Sequence, residues 1–283
     1  MGILDPSILS HERLLAAIHE WEPFPRIQSY LAFHALNLPT LDGFVVFAWD
    51  NRTERNLHNV LKRYGWDAAV LRSDMSTNAH TKPRGGFLFQ AEELVRETKR
   101  VLDEGRIPFL LAPANRWRNR LNGTILFSPG APLLEWETIG EGFDMSDLQR
   151  GDNIPHEHFQ TSRSAGVHER TNYRRIPREE YAKSVQWRIE KAGSLAPQEL
   201  HPNLMTRGRV FLAQQGSRLA LLPDITPIPL KTVRQVAEYI HDLPARLRQV
   251  GITIAEPFTI SFSIVETDAL VFWDVFSAKN YLR

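Results

Sequence analysis

The chain has 283 residues, 42% of them hydrophobic and 24% charged, which is typical of a soluble globular protein with one large domain or two lobes. A net charge of +1 gives no bulk attraction to nucleic acid or to a membrane surface. Cysteine is absent, which excludes disulfides, thiolate nucleophiles, zinc–thiolate sites and iron–sulfur clusters. Neither a signal-peptide pattern nor an apolar run of about 18 residues occurs, so we expect a cytoplasmic protein with no nucleic-acid or membrane partner.

The first half of the chain predicts helices interspersed with buried strands. Apolar residues at helical spacing predict a helix over 7–21, capped by Ser10 and ended by Pro23 and Pro25. Continuous apolar and β-branched runs at 43–49 and 67–73 predict strands that are buried on both faces. The same patterns predict further helices over 29–36, 53–64 and 92–104, and strands over 107–112, 123–127 and 133–139.

The second half changes in composition. Residues 160–178 are polar and rich in Arg and Ser, which predicts a mobile loop. One long helix is predicted over 229–249, with a kink at Pro244. Two apolar runs, 259–265 and 269–276, predict a final β-hairpin around a polar turn. A helix over 179–191 and a hairpin over 210–222 are also predicted.

Residues that suit a phosphate group stand at one strand end and in the loop after it. Arg72 ends a predicted strand, and Arg84, Gly85 and Gly86 follow. Arginine binds phosphate through two parallel hydrogen bonds, and glycines let backbone N–H groups approach an anion. Each feature also has a plainer interpretation, since Arg72 could form a surface ion pair with Asp74 and a Gly pair could form an ordinary turn.

Acidic and histidine side chains form three further candidates. Glu135 and Glu137 alternate along a predicted strand and so face one side, either a cleft or a solvated surface. Asp274 stands among bulky apolar residues, where a lone acid is costly unless it pairs with a core Arg or binds a metal. His156 and His158 form a His-x-His pair that can bind a metal, although no third ligand stands at a recognised spacing.

The order of these segments resembles the nucleotide-binding domain of the phosphoenolpyruvate synthase and pyruvate phosphate dikinase family, a branch of the ATP-grasp superfamily. Each short match is weak alone, and the order of the matches is what carries the resemblance. The matching segments are NLPTLDGFVVFA at 37–48, VLRS at 70–73, RGGFL at 84–88, GTILFSP at 123–129, and a Gly-spaced acidic segment at 140–157.

The resemblance implies an α+β, two-lobed ATP-grasp-like fold with mixed or antiparallel sheets and an ATP cleft between the lobes. The implied lobes are residues 1–110, which would grip the phosphates, and residues 111–283, which would include the polar loop 160–178. The family's Gly-Gly-Lys-Gly loop is missing, and only Arg26 offers a cation in its place.

The resemblance also implies ATP and Mg²⁺ as cofactors and assigns roles to single residues. Arg72 takes the place of an Arg that contacts ATP phosphates, and Glu141 or Asp144 substitutes for a displaced acid of the family. In the final hairpin, Ser261 and Asp274 take the two positions that face the metal and phosphates. The residues expected at the nucleotide are Arg26, Arg72, Arg84, Gly85, Gly86, Glu135 and Glu137, with Arg72 and Glu141 as the catalytic pair.

The implied function is ATP-dependent phosphoryl transfer to a small-molecule acceptor, or activation of a carboxylate as an acyl phosphate for ligation. One alternative is a non-catalytic nucleotide-binding or sensor protein with a degenerate metal site. The serine at position 261 and the missing Gly-Gly-Lys-Gly loop favour that alternative. Another alternative is the ATP-binding subunit of a split dikinase, which would phosphorylate a protein acceptor. The sequence identifies neither the acceptor nor the oligomeric state.

Overall fold

A computed structural model describes the chain as two β-sheets with helices. The described residues are 2–22, 24–40, 42–64, 68–73, 87–103, 109–113, 119–128, 130–140, 157–164, 169–175, 227–254, 257–265 and 268–277. The helices are α1 (His11–Glu20), α2 (Pro25–Ala35), α3 (Asn51–Tyr64), α4 (Ala91–Asp103), α5 (Leu230–Ile240) and α6 (Leu243–Gln249). The strands are β1 (Ile3–Leu4), β2 (Phe44–Val46), β3 (Ala68–Ser73), β4 (Phe87–Gln90), β5 (Phe109–Pro113), β6 (Asn119–Phe127), β7 (Leu133–Gly140), β8 (Glu157–Ser162), β9 (Thr171–Arg175), β10 (Phe258–Val265) and β11 (Leu270–Ser277).

The two sheets are built from separate parts of the chain. The first has the order β1-β2-β5-β3-β4, and the second has the order β11-β10-β6-β7-β8-β9. Neighbouring strands pair antiparallel throughout both sheets as described. This arrangement confirms the predicted α+β class. No helix within the described ranges is long and apolar enough to cross a membrane.

The second sheet has one apolar face and one polar face. Residues paired directly across neighbouring strands project to the same side, so each row of pairs lies on one face. One row of direct pairs is buried and apolar. It consists of Val275, Ile260, Ile125, Trp136 and Phe159. The adjacent row of pairs, which is displaced by one residue on each strand, projects to the opposite face. This second row, called the polar row, consists of Asp274, Ser261, Thr124, Glu137, His158 and Arg174.

A glycine makes room for an aromatic ring on the apolar face. Gly123 of β6 pairs with Phe262 of β10, and a Cβ at Gly123 would lie 2.4 Å from the Phe262 ring. Any side chain at position 123 would therefore displace that ring, which also contacts Trp136 edge-on at 5.8 Å between centroids. Close packing on the face opposite the polar row therefore explains the glycine at the start of the GTILFSP segment.

The helix α2 is fixed beside the edge strand β11. The Ser29 hydroxyl donates to the Pro25 carbonyl at 2.7 Å, and the Tyr30 hydroxyl donates to the Gly43 carbonyl at 2.8 Å. Just after the helix, the Phe272 N–H donates to the Pro39 carbonyl at 2.8 Å, which ties that segment to β11. The Ser29 hydroxyl also lies 3.4 Å from the Val275 carbonyl, which places the start of α2 beside β11.

Two helix boundaries differ from the predictions because proline favours the first turn of a helix. Pro25 was expected to end a helix, but it is the first residue of α2. Pro244 was expected to kink one long helix, but α5 ends at Ile240 and Pro244 lies in the first turn of α6. The predicted Ser10 cap is confirmed, since its Oγ accepts from the Arg13 N–H at 3.4 Å.

The prediction of a loop over 160–178 was wrong for residues 160–162 and 171–175, which lie in strands, while the described residues 163–164 and 169–170 lie outside helices and strands. Residues up to Ser162 belong to β8, and Thr171–Arg175 form β9. In β8, Phe159 and Thr161 are buried and alternate with half-buried polar residues, while every residue of β9 is exposed. Because β8 buries only one of its faces and β9 buries neither, both strands have the polar composition that predicted a loop. The predicted helix over 179–191 and hairpin over 210–222 lie outside the described residues.

A buried carboxylate joins β8, β9 and the segment before α5 on the apolar face. Glu157 is 2% exposed and accepts hydrogen bonds from the Tyr173 hydroxyl at 2.9 Å, the Thr138 hydroxyl at 3.0 Å and the Ile228 N–H at 2.9 Å. The guanidinium of Arg170 lies 3.6 Å from Glu157, stacks on the Tyr173 ring and also donates to the Ile228 carbonyl. Both carboxylate oxygens therefore have donors, which offset the cost of burying the charge.

Candidate functional site

An ion pair links the two sheets at the centre of the candidate site. Arg72 of β3 donates to Asp274 of β11, with 2.6 Å between Nη2 and Oδ2. The Asp274 side chain is fully buried and that of Arg72 is 14% exposed. Two residues identified separately in the sequence, 202 positions apart, are therefore in direct contact. The contact matches the interpretation in which Asp274 pairs with a core Arg.

A second guanidinium faces the same carboxylate. Arg26, in the first turn of α2, lies with its Nε 3.5 Å from Asp274 Oδ1 and is 8% exposed. The arginine–aspartate cluster, formed by Arg26, Arg72 and Asp274, therefore holds two positive charges and one negative charge. Two guanidinium groups with little exposure, held close together, are the kind of donor set that binds phosphate or carboxylate groups.

A β-bulge brings an aromatic ring to the same place. Ser261 pairs with Asp274 and Phe262 pairs with Phe272, so Trp273 is an extra residue between these pairs. The Arg72 guanidinium lies over the Trp273 ring, 5.0 Å from its centroid. The indole N–H donates to the Ser263 hydroxyl at 2.6 Å. Sequence reasoning missed Trp273, because a regular strand would project it away from Asp274.

The polar row leads away from the cluster across the whole sheet. Asp274 and Ser261 are fully buried, Thr124 is 9% exposed, Glu137 is half-buried and Arg174 is exposed. The row is therefore closed by Arg26 and Arg72 at one end and open to solvent at the other. With strands about 4.8 Å apart, Asp274 and Glu137 are separated by about 14 Å. The prediction that Glu135 and Glu137 share one side is confirmed by the burial pattern of β7.

Burial raises the pKa of Glu137 above its ordinary value. The neighbouring His158, directly opposite on β8, acts against that shift, and the negative charge of Glu135 adds to it. A carboxylate that is disfavoured in its charged form, beside a histidine on the polar face, is suited to accept or share a proton. His158 is thus placed beside an acid, and the other histidine of the pair, His156, lies outside the described residues.

We predict that Glu137→Gln stabilises the protein at neutral pH. The folded-state pKa is raised, so between the ordinary value of 4.5 and the folded pKa the stability of the wild type falls as pH rises. The neutral amide removes that loss. Urea unfolding from pH 4 to pH 8 should show an advantage of Glu137→Gln that grows with pH. An advantage of Glu137→Gln that is the same at every pH would contradict the raised pKa of Glu137. The variant His158→Asn removes the charge that opposes this shift, so it should enlarge the pH dependence of stability in a chain that keeps Glu137.

The buried end of the polar row offers Mg²⁺ two oxygen ligands from the protein. Asp274 and Ser261, directly opposite each other, supply one carboxylate and one hydroxyl. No group of three or more metal-binding side chains occurs within the described part of the chain. Mg²⁺ usually takes one or two carboxylates and completes its shell with water and phosphate oxygens. The pair therefore fits Mg²⁺ only together with a bound phosphate, because it supplies a single carboxylate that two arginines already face.

Arg84, Gly85, Gly86 and Glu141 lie outside the described residues and stay predictions.

Comparisons with known proteins give distant structural likenesses. No protein-family model and no curated protein matches the chain. Similar solved structures include the D-alanine–D-alanine ligase from Coxiella burnetii, with 10% identity and a TM-score of 0.42 over 90% of this chain and 48% of that one. The N5-carboxyaminoimidazole synthetase from Staphylococcus aureus has 8% identity and a TM-score of 0.41 over 95% and 50%. The VanG D-Ala:D-Ser ligase from Enterococcus faecalis has 6% identity and a TM-score of 0.42 over 93% and 54%.

The chain spans about half the length of these solved chains. Likenesses at these identities and TM-scores assign no activity to this chain. The resemblance to the phosphoenolpyruvate synthase and pyruvate phosphate dikinase family remains a prediction.

Proposed function

We propose that this chain is an ATP-grasp-like enzyme that binds ATP on the polar face of the second sheet. It would transfer a phosphoryl group to a small-molecule acceptor or activate a carboxylate for ligation. The observation that carries the proposal is the arginine–aspartate cluster, in which guanidinium groups from β3 and α2 converge on the buried end of the polar row. Arginine binds phosphate oxygens through charge-assisted hydrogen bonds, which supports a phosphate site beside these two guanidinium groups.

The proposed binding mode follows the polar row. The distance of about 14 Å from Asp274 to Glu137 allows a nucleoside triphosphate to lie with its phosphates at the cluster and its sugar and base toward Glu135 and Glu137. The two lobes would be residues 1–110 and 111–283. The loop of Arg84, Gly85 and Gly86 would cover the phosphates, and Glu141 would act beside Arg72.

The chemistry would consist of positioning and charge neutralisation. Arg72 and Arg26 would orient the phosphates, and Arg72 would exchange part of its contact with Asp274 for a phosphate oxygen. Asp274 and Ser261 would hold Mg²⁺ once phosphate oxygens complete its shell. The bound ion supplies neutralisation of charge on the transferred phosphoryl group.

A second candidate is a nucleotide-binding protein without catalysis. The specific observation in its favour is that Asp274, the one acid at the expected metal position, already lies 2.6 Å from Arg72. The single carboxylate there would bind Mg²⁺ weakly. Such a protein would bind nucleotide through Arg26 and Arg72 and leave it intact.

We expect ATP with Mg²⁺ to raise the melting temperature of the purified protein. A ligand at about 100 times its dissociation constant adds about 2.7 kcal/mol to the free energy of unfolding. A thermal scan at increasing ATP, with and without Mg²⁺, measures this effect. An unchanged melting temperature at millimolar ATP, with and without Mg²⁺, would exclude the proposal.

Two further measurements separate the candidate functions. Asp274→Asn should remove the difference that Mg²⁺ makes to ATP binding, because the asparagine keeps the size of the side chain but not its charge. Product analysis distinguishes the outcomes of binding: ADP indicates a kinase or ligase, AMP indicates a dikinase with a separate protein acceptor, and intact ATP indicates the non-catalytic protein.

A further inference from the structure

The side chain of Arg72 is held from two directions by consecutive residues of one strand. Asp274 binds an N–H of the guanidinium at 2.6 Å, and the ring of Trp273 lies against its face at 5.0 Å from the centroid. Consecutive residues of a regular strand project to opposite faces. The bulge in β11 removes that alternation at this point, and bulges of this kind re-aim side chains beside active sites.

The ring of Trp273 is itself fixed by a chain of short hydrogen bonds. Its indole N–H donates to the Ser263 hydroxyl at 2.6 Å, and that hydroxyl donates to Asn122 Oδ1 at 2.6 Å. Ser263 and Asn122 are both fully buried and belong to the central strands β10 and β6. The orientation of the indole plane is therefore set by the interior of the second sheet, whereas Arg72 comes from the first sheet.

We propose that Trp273 is the positioning residue of the phosphate site, holding the Arg72 guanidinium in the plane from which it meets a phosphate. The inference rests on the proposed function, since it concerns the same arginine. A free arginine side chain has many rotamers, and ordering it on binding weakens affinity. A guanidinium stacked on a fixed ring has already lost that freedom. Ligands whose affinity depends on Arg72 should therefore also depend on Trp273.

The test is a double-mutant cycle with inorganic tripolyphosphate as the probe, measured by calorimetry in the presence of Mg²⁺. Trp273→Leu removes the ring face and should weaken binding about five-fold when Arg72 is present. In the Arg72→Ala background the same change should have no effect, because no guanidinium remains to be held. Trp273→Phe, which keeps a ring face, should stay within about two-fold of the wild type. The matched control is Trp21→Leu, because Trp21 is half-buried like Trp273 but packs on Phe24 and Phe47. This control should leave the affinity for tripolyphosphate unchanged.

A second readout does not depend on the folding of the leucine variant. The emission difference between wild type and Trp273→Phe isolates the signal of Trp273. Tripolyphosphate, which has no chromophore, should change that signal, and Arg72→Ala should abolish the change. Ser263→Ala, which keeps the ring but removes its hydrogen-bond acceptor, should weaken binding only while Arg72 is present.

The outcomes separate this inference from the proposed function. If the wild type binds neither ATP nor tripolyphosphate, the proposed function fails and the inference fails with it. If the wild type binds but Trp273→Leu has the same effect with and without Arg72, or no effect in either background, the inference alone is overturned. A Trp273 signal that still responds to tripolyphosphate without Arg72 would overturn it as well.

Discussion

Replacing Arg72 with alanine is expected to lower the free energy of unfolding by about 3 kcal/mol and to weaken polyphosphate binding at least ten-fold. Removing one partner of a buried ion pair leaves an uncompensated charge, which costs about 3–5 kcal/mol. The lower end applies because Arg26 remains 3.5 Å from the fully buried Asp274. The loss of affinity follows from the loss of a charge-assisted hydrogen bond, worth about 1.5–3 kcal/mol. Urea unfolding gives the first quantity and calorimetry with tripolyphosphate gives the second.

The matched control is the double variant Arg72→Ala with Asp274→Ala. It removes both charges of the pair, so its loss of stability should be smaller than the sum of the losses of the two single variants, while binding remains weak. Arg72→Lys should keep part of the stability but lose the stacking on Trp273. If Arg72→Ala unfolds at the same urea concentration as the wild type, the ion pair does not exist in solution. If Arg72→Ala also binds tripolyphosphate as the wild type does, Arg72 has no part in an anion site.

The elements that the sequence predicted well are those with continuous apolar runs. The final hairpin is an example, because two such runs and a polar turn define both its strands and the register near the turn, from Ile264 opposite Leu270 to Phe262 opposite Phe272. Beyond that point the bulge shifts the register, which brings Ser261 opposite Asp274. Strands β8 and β9 were missed for the opposite reason. Their outward residues face the polar side of the sheet or solvent, and all five residues of β9 are exposed, so composition alone indicated a loop.

Single residues of the candidate site were predictable from the sequence, but the contacts between them were not. Arg72 was identified from a strand end and Asp274 from its apolar neighbours, but local patterns do not specify which residues of two different sheets meet. Trp273 shows a second limit, because the bulge that turns it toward Arg72 contains no glycine or other signal in the sequence. The row from Asp274 to Arg174 depends on the pairing of six strands, which becomes visible only when the order of the sheet is known.

Replacing Glu157 with alanine is expected to lower the free energy of unfolding by about 3 kcal/mol or more without affecting polyphosphate binding. The change would leave the buried Thr138 hydroxyl and the Ile228 N–H without their acceptor, and each such loss costs about 1–3 kcal/mol. It would also remove the carboxylate that faces the Arg170 guanidinium at 3.6 Å. Glu157 lies on the face opposite the polar row, so we expect affinity to be unchanged. Urea unfolding and calorimetry measure the two effects on the same samples.

The control for Glu157 is Glu169→Ala, which removes an exposed acid of the same region and should change the stability by no more than about 0.5 kcal/mol. A second check uses Tyr173, which is 43% exposed while its hydroxyl points to the buried Glu157. Its pKa is raised first by partial desolvation, then by its hydrogen bond to Glu157 and by the negative charge there. Because the folded pKa lies above the ordinary value of 10.0, the stabilising contribution is complete below that pH and is lost as pH rises through the folded pKa. Glu157→Gln should lower the Tyr173 pKa, measured by phenolate absorbance against a Tyr173→Phe reference. An unchanged Tyr173 titration together with unchanged stability would show that the Glu157 contacts do not form in solution.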